Sequence, residues 1–132
     1  MTRVVVVHHD PAVGAEQAAL LRGAGYDAES CGGPLVEHCP VLEAHPCPLA
    51  DRADVLVYDA WAARSGEGGH ELIAQVRDLY ADLPLVLTGV DESLAWVETE
   101  GPERVTPLRG RPDLQRLTAA IESALADQGM AV

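Results

Sequence analysis

Three groups of side chains in this sequence have the types and spacing to do chemistry. The first is a carboxylate. Asp54-Val55-Leu56-Val57-Tyr58-Asp59 is a short apolar run that ends on Asp59. A Val-rich run of this length, bounded by charge, reads as a strand buried on both faces. In open parallel sheets the residues just past the carboxyl ends of such strands line the ligand crevice. The second group is a pair of imidazoles: the valine run that starts after Arg3 ends at His8-His9-Asp10-Pro11. His8 or His9 with Asp59 would make a soft-metal or proton-sensitive site; alternatively, a histidine is only hydrogen-bonded beside the carboxylate. Neighbouring residues on a strand face opposite ways, so both histidines can join one ligand set only if the strand has ended. The third group is Cys31, Cys39 and Cys47, spaced by eight, with His38 and His45 nearby. Three thiolates and an imidazole could hold Zn²⁺ tetrahedrally, and three thiolates with an outside ligand could hold an iron–sulfur cluster. A redox disulfide and ordinary buried thiols are the other readings, and no tight C-x₂-C pair sharpens the pattern.

The elements that must position these groups follow in chain order. Asp10 can cap a helix with Pro11 at its first position. Val13, Gln17, Leu20, Leu21 and Ala24 recur at helical spacing, and Gly25 stops the helix. Tyr26 to Ser30 is a short strand. Pro34, Pro40, Pro46 and Pro48 crowd residues 31–52, which predicts a long loop with at most a short helix near Leu35–His38 or Val41–Ala44. After the Asp59 strand comes a polar loop. Its Gly66-Glu67-Gly68-Gly69 lacks the lysine and hydroxyl of a phosphate-binding loop. Leu72, Ile73, Val76, Leu79 and Tyr80 mark one helical face. Leu85-Val86-Leu87 is a short buried strand ending at Thr88-Gly89. Leu94, Trp96 and Val97 suggest a short helix cut off by Gly101-Pro102, and Arg104-Val105 is a minimal last strand. Pro112 and Asp113 open a final helix with Leu114, Leu117, Ile121 and Leu125 on its inner face, and Gly129 ends it. Trp61 and Trp96 read as caps on the core edge, or as anchors for a partner. Short strands alternating with helices imply an α/β fold with a mostly parallel sheet and helices on both faces. The unbroken apolar runs place Val4–Val7, Val55–Tyr58 and Leu85–Leu87 adjacent and central.

Composition bounds the partners. The 132 residues read as one domain, 1–132, large enough to bury a core without disulfides or metal. The sequence has no Phe and only 4% aromatics, so that core must be Val, Leu, Ile and Ala. The formal charge is −12, with 21 acidic residues against nine basic ones, all of them Arg. This balance argues against nucleic acid or anionic membrane as partners. With no apolar run of membrane-spanning length and no signal peptide, the expected location is cytoplasmic.

VVVVHHDPAV, DVLVYDAW, GHELIAQVR and LPLVLTG together resemble the receiver domain of bacterial response regulators, over nearly the whole chain. The resemblance implies a flavodoxin-like three-layer sandwich with a five-stranded parallel sheet of order 2-1-3-4-5. It also implies that Asp59 aligns with the phosphoryl-accepting aspartate and Thr88 with the hydroxyl that senses the phosphate. The pattern departs where the chemistry lies. His8 and His9 stand where receivers carry the acidic pair that holds Mg²⁺, with Asp10 one place later. Thr106 stands at the expected lysine position, before Pro107. The expected function is therefore an atypical receiver, or pseudo-receiver: a regulatory protein-interaction module, not an enzyme, without standard Mg²⁺-dependent phosphorylation. Its partner would be a protein, a second copy of the chain included, and no cofactor is expected. Two alternatives stay open. One is a metal or redox sensor holding zinc or an iron–sulfur cluster at the cysteine loop; the other is an active phosphoacceptor at Asp59.

Overall fold

The structure, a computed structural model, describes residues 2–32, 40–43, 45–59, 70–89, 94, 96–97, 104–110 and 112–130. Its strands are β1 (Arg3–Val7), β2 (Asp27–Cys31), β3 (Val55–Asp59), β4 (Leu85–Gly89) and β5 (Val105–Arg109). The helices are α1 (Pro11–Gly23), α2 (Pro48–Arg52), α3 (His70–Leu79) and α4 (Leu114–Met130), and Pro40–Glu43 forms a 3₁₀ turn. The strands make one sheet of order β2-β1-β3-β4-β5, parallel at every pairing. The expected topology is thus observed, with β1, β3 and β4 in the middle.

Alternation along each strand builds two cores from one apolar run. Val5, Val7, Leu56, Tyr58, Leu85 and Leu87 meet Ile73 and Val76 of α3 on one face. Val4, Val6, Val55, Val57 and Val86 meet Ala18 and Leu21 of α1 and Leu117 and Ile121 of α4 on the other. Each fully buried branched side chain contributes about 1.5–3 kcal/mol through removal from water. This explains why the central strands carry apolar residues at every position rather than at alternate ones.

The ends of α1 follow from local chemistry. Asp10 Oδ1 accepts the Ala12 and Val13 N–H groups, and Pro11 opens the helix. At the other end, the Gly25 N–H donates to Arg22 O and the Tyr26 N–H to Leu21 O. This double bond pattern needs the positive φ of 101° that Gly25 adopts. The buried face differs from the expected one: Gly14, Ala18 and Leu21 point inward, while Leu20 is 46% exposed. Small residues win because α1 lies close to β1; a Cβ on Gly14 would sit 3.1 Å from His8 Cβ.

Three further readings are corrected. The proline-rich stretch contains α2, which sequence reasoning placed in a loop. Pro48 sits in the first turn, where its missing N–H costs nothing. The last strand runs for five residues rather than two. Arg104, at φ 59°, turns the chain into it. Pro107 is tolerated because β5 is an edge strand. The Gly110 N–H faces β4 and donates to Gly89 O, so by the two-residue period the nitrogen of Pro107 faces away from the sheet. Helix α4 runs on through Gly129 to Met130. Its opening is as expected, with Asp113 Oδ1 accepting the Arg116 N–H. Trp96 packs, partly buried, against the α3-side core. Trp61 and the 66–69 glycines lie outside the described residues.

Candidate functional site

The carboxyl ends of β1, β3 and β4 converge on a cavity of about 320 Å³. Among the described residues, the buried polar side chains are Asp59 and Thr88, each 5% exposed. Asp59 ends β3, and Thr88, one residue before the end of β4, lies at the same level of the ladder. His8 still follows β1, its N–H donating to Cys31 O, but the regular strand stops at Val7. The alternation of the strand therefore no longer holds, and both histidines turn toward Asp59. Their rings stack, with centroids 4.8 Å apart and planes 21° apart.

The hydrogen bonds assign the tautomers. His8 Nδ1 accepts the Asp10 N–H at 3.0 Å, so the proton of a neutral ring sits on Nε2, 3.7 Å from Asp59 Oδ2. His9 Nδ1–H donates to the same Oδ2. Two imidazoles thus clamp one buried carboxylate oxygen. Asp10, Val13, Gln17, Gly89, Gly110 and Pro112 complete the wall.

Of the residues singled out by sequence, His8, His9, Asp10, Asp59 and Thr88 come together here. Thr106 does not. It pairs with Val86, two residues before Thr88, whereas Leu108 and Arg109 lie level with Thr88 and Gly89. Sequence reasoning placed it wrongly because Pro107 was read as the proline that follows the strand; it lies within the strand instead. Gly89 and Gly110 were missed as wall residues. Their bridge across the strand ends was signalled only by glycines at the limits of two apolar runs. Among the described residues, the members of the cysteine group do not form a ligand cluster. Cys31 ends β2 and Cys47 precedes α2, while Cys39 and His38 lie outside the described residues. Among the described residues, the ligand-bearing side chains that cluster are His8, His9 and Asp59, not Cys31, Cys47 and His45.

The donor set does not fit Mg²⁺. That ion wants near-octahedral oxygen, and the cluster offers two imidazole nitrogens and one carboxylate. Asp10 caps the first turn of α1 through Oδ1 and is not one of the three clustered ligand residues.

No protein-family model and no curated protein matches the chain. Solved structures do. A response regulator receiver domain from Clostridium thermocellum aligns over 100% of both chains with a TM-score of 0.77 and 14% identity. A CheY-like receiver domain from Methanospirillum hungatei aligns over 100% of this chain and 99% of its own, with a TM-score of 0.73 and 15% identity. A putative pilus assembly-related protein from Burkholderia pseudomallei covers 96% of this chain and 90% of its own, with a TM-score of 0.69 and 23% identity. The fold is that of receiver domains. Among the described residues, no helix is long and apolar enough to cross a membrane.

Proposed function

We propose that the chain is an atypical receiver-like signalling module that works in the cytoplasm by binding a protein partner, without turnover and without Mg²⁺-dependent phosphorylation at Asp59. The observation that carries this reading is the clamp: His8 and His9 both face Asp59 Oδ2, where a receiver would hold its metal. Phosphoryl transfer needs positioned positive charge on the oxygens of the transferring group. The imidazoles supply one hydrogen bond, from His9, and a nearby ring edge, from His8, but no metal-holding oxygens. Loss of one such electrostatic contact slows transfer by about 10²–10³. The net charge of −12 favours a basic or neutral protein surface as partner over nucleic acid.

Incubation with acetyl phosphate and Mg²⁺, followed by intact mass measurement, tests the reading. No adduct is expected. An adduct that disappears in Asp59→Asn would establish the active phosphoacceptor instead, for which the shared level of Asp59 and Thr88 is the favourable geometry.

A further inference from the structure

The pocket that rejects a hard cation has the donors for a softer one. We infer that His8 Nε2, His9 Nδ1 and an Asp59 carboxylate oxygen bind one late first-row divalent cation of the zinc class, and that filling the site switches the His8 tautomer and releases the Asp10 amide. The inference shares its pocket with the proposed function but not its signalling role, so cation binding and phosphorylation are measured separately.

The three ligand atoms lie within 4.8 Å of one another. Two donors each about 2.0–2.1 Å from one tetrahedral ion lie roughly 3.4 Å apart, so modest side-chain rotation closes the set. Two imidazoles and a carboxylate are a familiar zinc set, and the adjoining cavity of about 320 Å³ leaves the fourth position to water. Charge points the same way. Asp59 is 5% exposed, and a buried carboxylate needs compensation that neutral N–H donors supply only in part.

The proton accounting makes the site testable in detail. A cation on His9 Nδ1 moves that ring's proton to Nε2, and the His9 side chain is 43% exposed, so water can meet it. A cation on His8 Nε2 moves the proton to Nδ1, where the Asp10 N–H now donates. Two N–H groups cannot face each other, so this contact opens. No net proton is released when both rings start neutral. Asp10 caps α1, so occupancy of the pocket is transmitted to the first turn of that helix.

The test uses the full, tag-free chain, titrated with Zn²⁺ and separately with Mg²⁺, with Co²⁺ as the coloured probe. One Zn²⁺ per chain is expected, at least about 100-fold tighter than Mg²⁺ given the ligand types. His8→Asn keeps an acceptor for the Asp10 amide but deletes Nε2; His9→Asn keeps a donor for Asp59 but deletes the ligand nitrogen. Each is expected to weaken Zn²⁺ by at least tenfold, since even outer-shell losses cost that much. Bound Co²⁺ is expected to show visible bands without thiolate charge-transfer absorption. The Asp10 amide resonance is expected to move on adding Zn²⁺. Absence of Zn²⁺ binding overturns the site, as does undiminished binding in folded His9→Asn. A thiolate band that vanishes in Cys31→Ser/Cys39→Ser/Cys47→Ser places the ion on the cysteines and overturns it too. Binding with an unmoved Asp10 amide removes His8 from the ligand set and overturns the switch.

Discussion

The two ends of the parallel sheet carry hollows of nearly equal size, about 320 Å³ at the carboxyl end and about 330 Å³ at the amino end. Their polar groups are used differently. At the amino end, side chains bond to backbone. Arg77 spans three carbonyls, those of Tyr80, Leu83 and Arg104, and so ties the chain ahead of β4 to the chain ahead of β5. Asp54 Oδ2 accepts the Arg3 N–H while the Asp54 N–H donates to Arg3 O. The Tyr80 hydroxyl accepts the Cys47 N–H and donates to Asp51. At the carboxyl end, His9 bonds to the Asp59 carboxylate and His8 faces the same oxygen at 3.7 Å, beside an open cavity. Size therefore does not separate a site from a structural hollow. The difference is whether the polar groups are spent on holding the backbone together or held ready for something that enters.

The comparison predicts large stability effects at the amino end and small ones at the pocket. Arg77→Met is expected to cost most, about 2–3 kcal/mol, because it strips a charged donor from three carbonyls. Urea unfolding measures this, and a loss below that of any pocket variant would break the comparison. Tyr80→Phe is expected to cost about 1–2 kcal/mol by leaving the Cys47 N–H without its acceptor.

Tyr80 also gives the amino end a pH signature. Burial first, and the bond to Asp51 second, push its pKa from 10.0 up to about 12. Tyr26 is raised to about 12 as well, by burial and by its bond to Glu122. A raised folded-state value means that the unfolded chain gives up the proton first. This contribution to stability is complete below pH 10 and is lost as pH rises toward about 12. Unfolding midpoints measured across that window are expected to fall, and to fall less steeply in Tyr80→Phe.

Gly14→Ala sharpens the contrast from the other side. Replacing glycine in a helix is worth up to about 1 kcal/mol, and the tight approach to His8 Cβ at 3.1 Å offsets it. Net stability is expected to change by less than about 1 kcal/mol, while Zn²⁺ affinity drops because His8 is displaced. Smallest of all is His9→Asn, which keeps a donor toward Asp59. It is expected to shift stability by no more than about 0.5 kcal/mol, and a loss of several times that would make the pocket a structural device like the opposite end.

The sequence by itself determined the frame. Unbroken Val and Leu runs can be satisfied only by strands covered on both faces, and the spacing of Ile73, Val76, Leu117 and Ile121 can be satisfied only by helices lying over them. It also determined that Asp59 ends a central strand, because the apolar run stops there. Local rules failed where long-range position decides. Pro107 is a breaker in a central strand and harmless in an edge strand, and no local pattern says which strand is the edge. The register of β5 hung on that distinction, and with it the placement of Thr106 outside the pocket and Arg109 at its level. The face of α1 depended on how closely the helix approaches β1, which favours Gly14 and Ala18 over the bulkier Leu20. The meeting of His8 and His9 on one carboxylate depended on where strand geometry ends. Adjacent side chains diverge while the ladder continues and converge once it stops. Only the packed sheet, with β1 released after Val7 and Asp59 waiting one strand away, brings them together.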